Sequence, residues 1–211
     1  MHVFIVYAHP SEDSFSSEIR DSFIRGLESA GHSFTVSDLY RMNFNALMCE
    51  AEYRREAFYR SDLPVPEDVA AEQKKINNSD AIVFICPLFW SDVPAILKGW
   101  FDRVWTYGFA YGENAEKLVS ANRDGPFKQG RLMKQLEKGL YLLSAGNTME
   151  YFNNTGILTA MEKVLLDDRL FDRVRQKELV IFEGTSREMP SREEKRTGHL
   201  ERAFKCGTLL F

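Results

Sequence analysis

The sequence predicts an α/β fold on a five-stranded parallel sheet, and three observations carry that prediction. Short apolar, β-branched runs alternate with amphipathic stretches along the chain, the order expected of strand–helix–strand units. The run "DAIVFICPL" (80–88) is apolar throughout, as a central parallel strand covered on both faces must be. Five such strands occur, so right-handed crossovers leave few topologies, and the doubly wound order 2-1-3-4-5 with helices on both faces suits the element count.

Each element follows in turn. "HVFIVYAH" (2–9) reads as a buried first strand. "SFSSEIRDSFIRGLESAG" (14–31) repeats Phe15, Ile19, Phe23, Leu27 and Ala30 at helical spacing before Gly31 stops it. "HSFTVSDL" (32–39) alternates like an edge strand, and "EAEYRREAFYR" (50–60) is a helix of mixed polarity. "PEDVAAEQKKINNS" (66–79) opens a helix with acids in its first turn, where they suit the dipole. After the strand at 80–88 a helix runs from about Val93 to Tyr107. "KGLYLLSAG" (138–146) and "ELVIFEG" (178–184) are the fourth and fifth strands, with a helix over roughly Ile157–Phe171 between them and a last one over Arg192–Leu209. Residues 108–135 read as a surface excursion, and residues 1–211 as a single domain.

Composition excludes several classes. A net charge of −4 argues against a basic nucleic-acid surface. No basic leader or bilayer-length apolar run is present, so neither a signal peptide nor membrane insertion is expected. Three separated cysteines and four scattered histidines give no disulfide frame and no metal site, and point to the cytoplasm.

In an open parallel sheet, ligands bind beyond the carboxyl ends of the strands at the switch in strand order. The loops at 9–15, 87–93 and 145–155 therefore matter most. The first lacks a Rossmann fingerprint or P-loop. Its serines, Ser11, Ser14, Ser16 and Ser17, suit either a phosphate at a helix N-terminus or simple capping. The second places Phe89 and Trp90 where loops are usually small and polar. They form either the wall of a pocket for a flat ring, served by the amides of residues 88–91, or a plug against another subunit. The following helix is aromatic on more than one face, which suits a dimer interface. The third, "SAGNTMEYFNNTG", offers close backbone approach and the Tyr151 phenol, although such loops are also ordinary turns.

"SDLYRMNFN" (37–45), "VAAEQKKI" (69–76), "PLFWSDVPAILKGWFDRV" (87–104) and "GFAYG" (108–112) together closely resemble the NAD(P)H:quinone oxidoreductases. This flavodoxin-like group includes DT-diaphorase and the ancillary flavoproteins of bacterial potassium-efflux systems. The likeness covers roughly residues 1–146. It implies a homodimer with one flavin per site, FAD slightly before FMN, and NAD(P)H as co-substrate. Hydride would pass by a ping-pong route to a quinone or similar small acceptor. It assigns His9, Phe15 and Ser16, with the neighbouring Ser17, to the flavin diphosphate side. Leu88, Phe89, Trp90 and Ser91 go to the ring edge, and Ser144, Ala145, Gly146 and Asn147 to the fourth-strand loop. Tyr111 would close over the nicotinamide or quinone.

Departures accompany the likeness. No histidine occurs between His32 and His199, so the mammalian loop histidine is missing and Tyr151 stands as the replacement for its tyrosine partner. The chain ends before the mammalian C-terminal extension. A regulatory flavin-binding subunit of a transporter, or an azo- or nitroreductase using the same site, are the rival expectations. Cys86 is read as core, Lys98 and Arg103 as surface or interface charges, and Tyr107 as either core or pocket wall.

Overall fold

The computed structural model describes residues 1–112, 133–186 and 192–210; most of the 108–135 excursion lies outside them. The strands are β1 (His2–Tyr7), β2 (Ser33–Asp38), β3 (Ala81–Pro87), β4 (Leu136–Ser144) and β5 (Val174–Phe182). They form one parallel sheet in the order β2-β1-β3-β4-β5, as the sequence predicts. The helices are α1 (Phe15–Ser29), α2 (Glu50–Ala57), α3 (Glu67–Asn77), α4 (Ala95–Val104), α5 (Met149–Asn154), α6 (Ile157–Glu162) and α7 (Arg192–Leu209).

Strand alternation builds two cores. Val3, Ile5 and Tyr7 of β1 point to the face covered by Phe15, Ile19, Phe23 and Leu27 of α1 and Ala203 of α7. Phe4 and Val6 point to the other face, under Val69 and Ile76 of α3 and Leu97, Trp100 and Phe101 of α4. Helices α1 and α7 touch backbone to backbone. A Cβ on Gly26 would lie 2.2 Å from the Phe204 carbonyl oxygen, so only glycine fits there.

The α4 aromatics correct one expectation. Trp100 is fully buried and Phe101 nearly so within their own chain, packed edge-on and tilted against Phe84. No second subunit is needed to cover them. The Trp100 indole N–H donates to Oε2 of the fully buried Glu72 at 2.9 Å. The other oxygen of Glu72 accepts from Ser37 Oγ at 2.9 Å and Lys75 Nζ at 2.6 Å, tying β2, α3 and α4 together. Arg103, expected as a surface or interface charge, is buried within its own chain, where Glu52 and Asp68 accept from its guanidinium. Cys86 is core, as expected.

The helix expected at 157–171 is subdivided. Gly156, at φ 73°, breaks α5 from α6. Residues Lys163–Leu170 then wind into a π-helix, which the Phe171 amide closes onto the Leu166 carbonyl five residues back.

Tyr141 stacks on Phe84 with ring centroids 4.8 Å apart, and its fully buried hydroxyl has no hydrogen-bond partner among the described residues. Tyr141→Phe removes that unmet group and keeps the ring, so it is expected to raise stability by about 1–3 kcal/mol. Chemical denaturation checks this, and a loss of stability contradicts it.

Candidate active site

The loops after β1, β3 and β4, joined by the loop after β5, enclose an open cleft of about 760 Å³ at the carboxyl edge of the sheet. Its lining includes His9, Ser11, Ser14, Phe15 and Ser16 from the first loop and helix start. Pro87, Leu88 and Phe89 come from β3 and its loop, Ser144 and Gly146 from β4 and its loop, and Thr185 and Ser186 from beyond β5.

The first wall is made of neutral donors. Ser14 caps α1, accepting from the Ser17 amide at 3.1 Å, while Ser17 Oγ accepts from the Ser14 amide at 3.2 Å. Capping therefore explains those two serines. Ser17 also donates to Glu12 and Ser14 carbonyls at 2.7 and 2.5 Å, which turns it away from the cleft. Phe15 and Ser16 begin the helix and line the cleft, and first-turn amides lack intrahelical acceptors. Ser16 and Ser144 share a buried hydroxyl–hydroxyl bond of 2.8 Å that locks α1 to the end of β4. His9 Nδ1 lies 3.0 Å from the Ser11 amide nitrogen and 2.8 Å from its carbonyl oxygen. Nε2 has no partner among the described residues. Asp13 and Glu18 add negative charge, with Glu18 paired to Arg196 at 2.6 Å. No lysine or arginine is among the described lining residues, and neutral groups and the helix start are what they offer an anion.

The second wall is a tight turn. Leu88 donates to the Ser144 carbonyl at 2.8 Å, extending the β3–β4 ladder. Phe89 and Asp92 exchange backbone bonds of 2.9 and 3.2 Å. Of the four amides at 88–91, Leu88 and Phe89 are thus committed, and Trp90 and Ser91 are those left for a ligand. Trp90 and Ser91 sit at φ 54° and 62°, a strain of roughly 1–2 kcal/mol per non-glycine residue. Phe89 lines the cleft and is half exposed, whereas the Trp90 side chain is fully exposed and stands outside the lining.

The remaining predicted residues fall elsewhere in the single chain. Ala145 is buried, donating to the Phe182 carbonyl at 2.9 Å and accepting from Thr185 at 2.9 Å. Asn147 accepts from the Gly184 amide at 3.1 Å. Both knit the third loop to β5. Tyr151 is exposed on the first turn of α5. Tyr111 lines a separate hollow of about 450 Å³ with Glu56, Phe101, Trp105, Arg169 and Arg173. Its hydroxyl donates to Glu56 Oε2 at 2.9 Å, an oxygen that also accepts from the Tyr107 amide at 2.7 Å. Burial, then the adjacent carboxylate, push the Tyr111 phenol well above its ordinary range. It stays protonated and donates a hydrogen bond to Glu56. Tyr107 is half-buried and stands edge-on to Tyr111.

Sequence reasoning missed Thr185 and Ser186, for which the signal was a Gly-Thr-Ser run just beyond a strand. It also missed the pairing of Asp92 with Arg169.

A five-stranded 2-1-3-4-5 sheet with a ligand cleft over its central carboxyl ends defines a flavodoxin-like protein. Residues 1–205 match the family described as having a flavodoxin-like fold, and the chain belongs to it. Proteins similar to this chain include quinone oxidoreductases. The structure superposes on an NAD(P)H:quinone oxidoreductase from Methanothermobacter marburgensis at a TM-score of 0.87 and 43% identity, covering 100% of this chain and 96% of that one. It is 33% identical over 170 residues to ribosyldihydronicotinamide dehydrogenase [quinone] of Pongo abelii, over 74% of this chain and 68% of that protein. It is 32% identical over 174 residues to NAD(P)H dehydrogenase [quinone] 1 of Rattus norvegicus, over 76% of this chain and 59% of that protein. A Bacillus anthracis azoreductase, 19% identical over 99% of each chain at a TM-score of 0.70, shares the fold. The chain spans about 59–68% of the length of these mammalian relatives.

Proposed function

We propose that the protein is a flavin-dependent oxidoreductase that passes two electrons from NAD(P)H to quinones or similar small acceptors. The observation that carries this reading is the cleft itself. It has the volume for a tricyclic ring and its ribityl phosphate, neutral donors along one wall, and Leu88 and Phe89 of the turn after β3 on the other. The residues present fit a flavin of either kind, FMN or FAD. The α1 amides, Ser11 and His9 Nε2 would hold phosphate. Leu88, Phe89, Trp90 and the Trp90 and Ser91 amides would meet the ring, and Ser16, Ser144 and Gly146 would floor the site.

A bound flavin supplies hydride acceptance and donation, which no amino-acid side chain provides. The chain's part is to stack the ring, orient it and shield the exchange. Donor and acceptor then share one surface in turn. Tyr111 stands in its own hollow, so a second copy of the chain would have to bring it to the cleft; we infer a homodimer on that ground. With its proton committed to Glu56, Tyr111 would present lone pairs and suit a group that donates, such as a carboxamide NH₂. The free thiols of Cys49, Cys86 and Cys206 support a cytoplasmic setting. No described helix is long and apolar enough to cross a membrane.

Steady-state oxidation of NADH and NADPH by flavin-loaded protein, against a panel of quinones, azo dyes and nitroaromatics, tests the reading. Quinone-dependent turnover with parallel double-reciprocal lines is expected. Flavin-loaded protein without acceptor-dependent turnover contradicts it and favours a regulatory role.

Trp90→Ala is expected to weaken flavin binding by about 1–3 kcal/mol through lost stacking. Because the side chain is exposed, stability stays within about 0.5 kcal/mol. Equilibrium flavin titration and urea unfolding read the two effects, and unchanged flavin affinity assigns Trp90 to another surface.

A further inference from the structure

The turn Phe89–Trp90–Ser91–Asp92 places two successive non-glycine residues at left-handed φ, closed by reciprocal backbone bonds. Turns of this kind ordinarily carry Asn-Gly, because a Cβ is disfavoured at both central positions. A Trp-Ser pair does not hold that shape by its own preference, so its surroundings must over-determine it.

Asp92 provides the hold. Its Oδ1 accepts from the Val93 amide at 2.7 Å. Both carboxylate oxygens then accept from the Arg169 fork, Oδ1 from Nη1 at 2.9 Å and Oδ2 from Nη2 at 3.1 Å. Such a two-point bond sets orientation as well as distance. Burial opposes ionisation of Asp92, but the Arg169 hydrogen bonds and the Val93 amide outweigh it, leaving the carboxyl below its ordinary value. Arg169 is only 9% exposed, and its guanidinium lies 5.2 Å from the Phe101 ring centroid. It issues from the π-helix, 77 residues away in sequence. That segment belongs to none of the loops forming the cleft.

We infer that Arg169 is the positioning residue of the flavin-binding turn. Its fork pins Asp92 and so keeps the Trp90 and Ser91 amides, next to Phe89 on the cleft wall, in the one arrangement that meets a planar ring. Without the fork the turn relaxes toward negative φ, and those amides rotate away. The turn is largely exposed, so the loss falls on ligand affinity more than on the fold. The inference rests on the flavin reading above.

The test compares wild type, Arg169→Met, Asp92→Asn, Ser91→Gly and the double variant Arg169→Met/Ser91→Gly, titrated with FMN and with FAD by flavin fluorescence and absorbance. Urea unfolding is measured in parallel. Arg169→Met is expected to weaken flavin binding about tenfold or more, the scale of strain that is no longer held. Ser91→Gly alone is titrated as the reference for the double variant. In the double variant it restores most of the lost affinity, because glycine takes left-handed φ without a Cβ penalty, and it does not restore any lost urea stability. Where Arg169→Met does not fold, Asp92→Asn with and without Ser91→Gly gives the same comparison. Variants that bind like wild type, or a loss that Ser91→Gly does not reverse, overturn the inference while the flavin reading stands. Wild type that takes up no flavin overturns both.

Discussion

Gly146→Trp is expected to lower flavin affinity at least about 100-fold, and turnover with it, while the fold survives. Gly146 lines the cleft just beyond β4. Among the described residues a Cβ there meets only Ser186 Cβ at 3.6 Å, an ordinary contact. The protein therefore tolerates a side chain at 146, and an indole must spread into the volume that the cofactor needs. Flavin titration measures the first effect, and far-ultraviolet circular dichroism with urea unfolding measures the second. Near-normal flavin binding in a folded Gly146→Trp variant would place the cofactor elsewhere.

Arg103→Met is expected to cost about 3–5 kcal/mol, the range for breaking a buried ion pair from one side. Arg103 is 4% exposed. Its Nε donates to Glu52 Oε1 at 2.7 Å, and its terminal nitrogens donate to the two Asp68 oxygens at 2.5 and 3.0 Å and to the Asn45 carbonyl at 2.6 Å. One guanidinium thus joins α2, α3, α4 and the loop before α2. Methionine fills the space but strands Glu52 below the surface. Lysine is also expected to fail, since a point charge cannot serve so many acceptors in a plane. The same cluster sets an acid limit. The Arg103 bonds, opposed by partial burial, hold Asp68 below its ordinary value of 3.8. A depressed carboxyl contributes stability above its unfolded pKa and loses it as pH falls through the lower folded value. Wild type should weaken below about pH 4, and Arg103→Met should lose part of that dependence. Urea midpoints across pH check both statements. An Arg103→Met protein as stable as wild type would contradict the account.

The fold was legible because its inner strands are unbroken apolar runs: Val3–Ala8 and Ala81–Cys86 are buried throughout, as strands covered on both faces must be. What escaped was the start of β5 at Val174. There Arg175, Gln176 and Glu178 are exposed at a sheet edge, and edge charges hide a strand from an apolar reading. The 157–171 stretch looked like one helix because nothing local announces a π-helix. The site was half legible. Loops after the central strands face the carboxyl edge of the sheet, and His9, Phe15, Ser16, Leu88, Phe89, Ser144 and Gly146 line the cleft there. Ala145 and Asn147 look like ligand contacts but spend their backbone on β5. The Glu56–Tyr111 and Asp92–Arg169 pairs were invisible because they join residues 55 and 77 positions apart, and no periodicity reports such pairings. Arg103 illustrates the same limit. On a helix wheel it is a surface charge, and only the fold supplies Glu52 and Asp68.

The most direct measurement is the flavin content of the purified protein, by absorbance and by mass spectrometry of what denaturation releases. The account predicts one FMN or FAD per chain, either carried through purification or taken up stoichiometrically on reconstitution. Folded protein that carries neither, and binds neither when both are supplied, would contradict it.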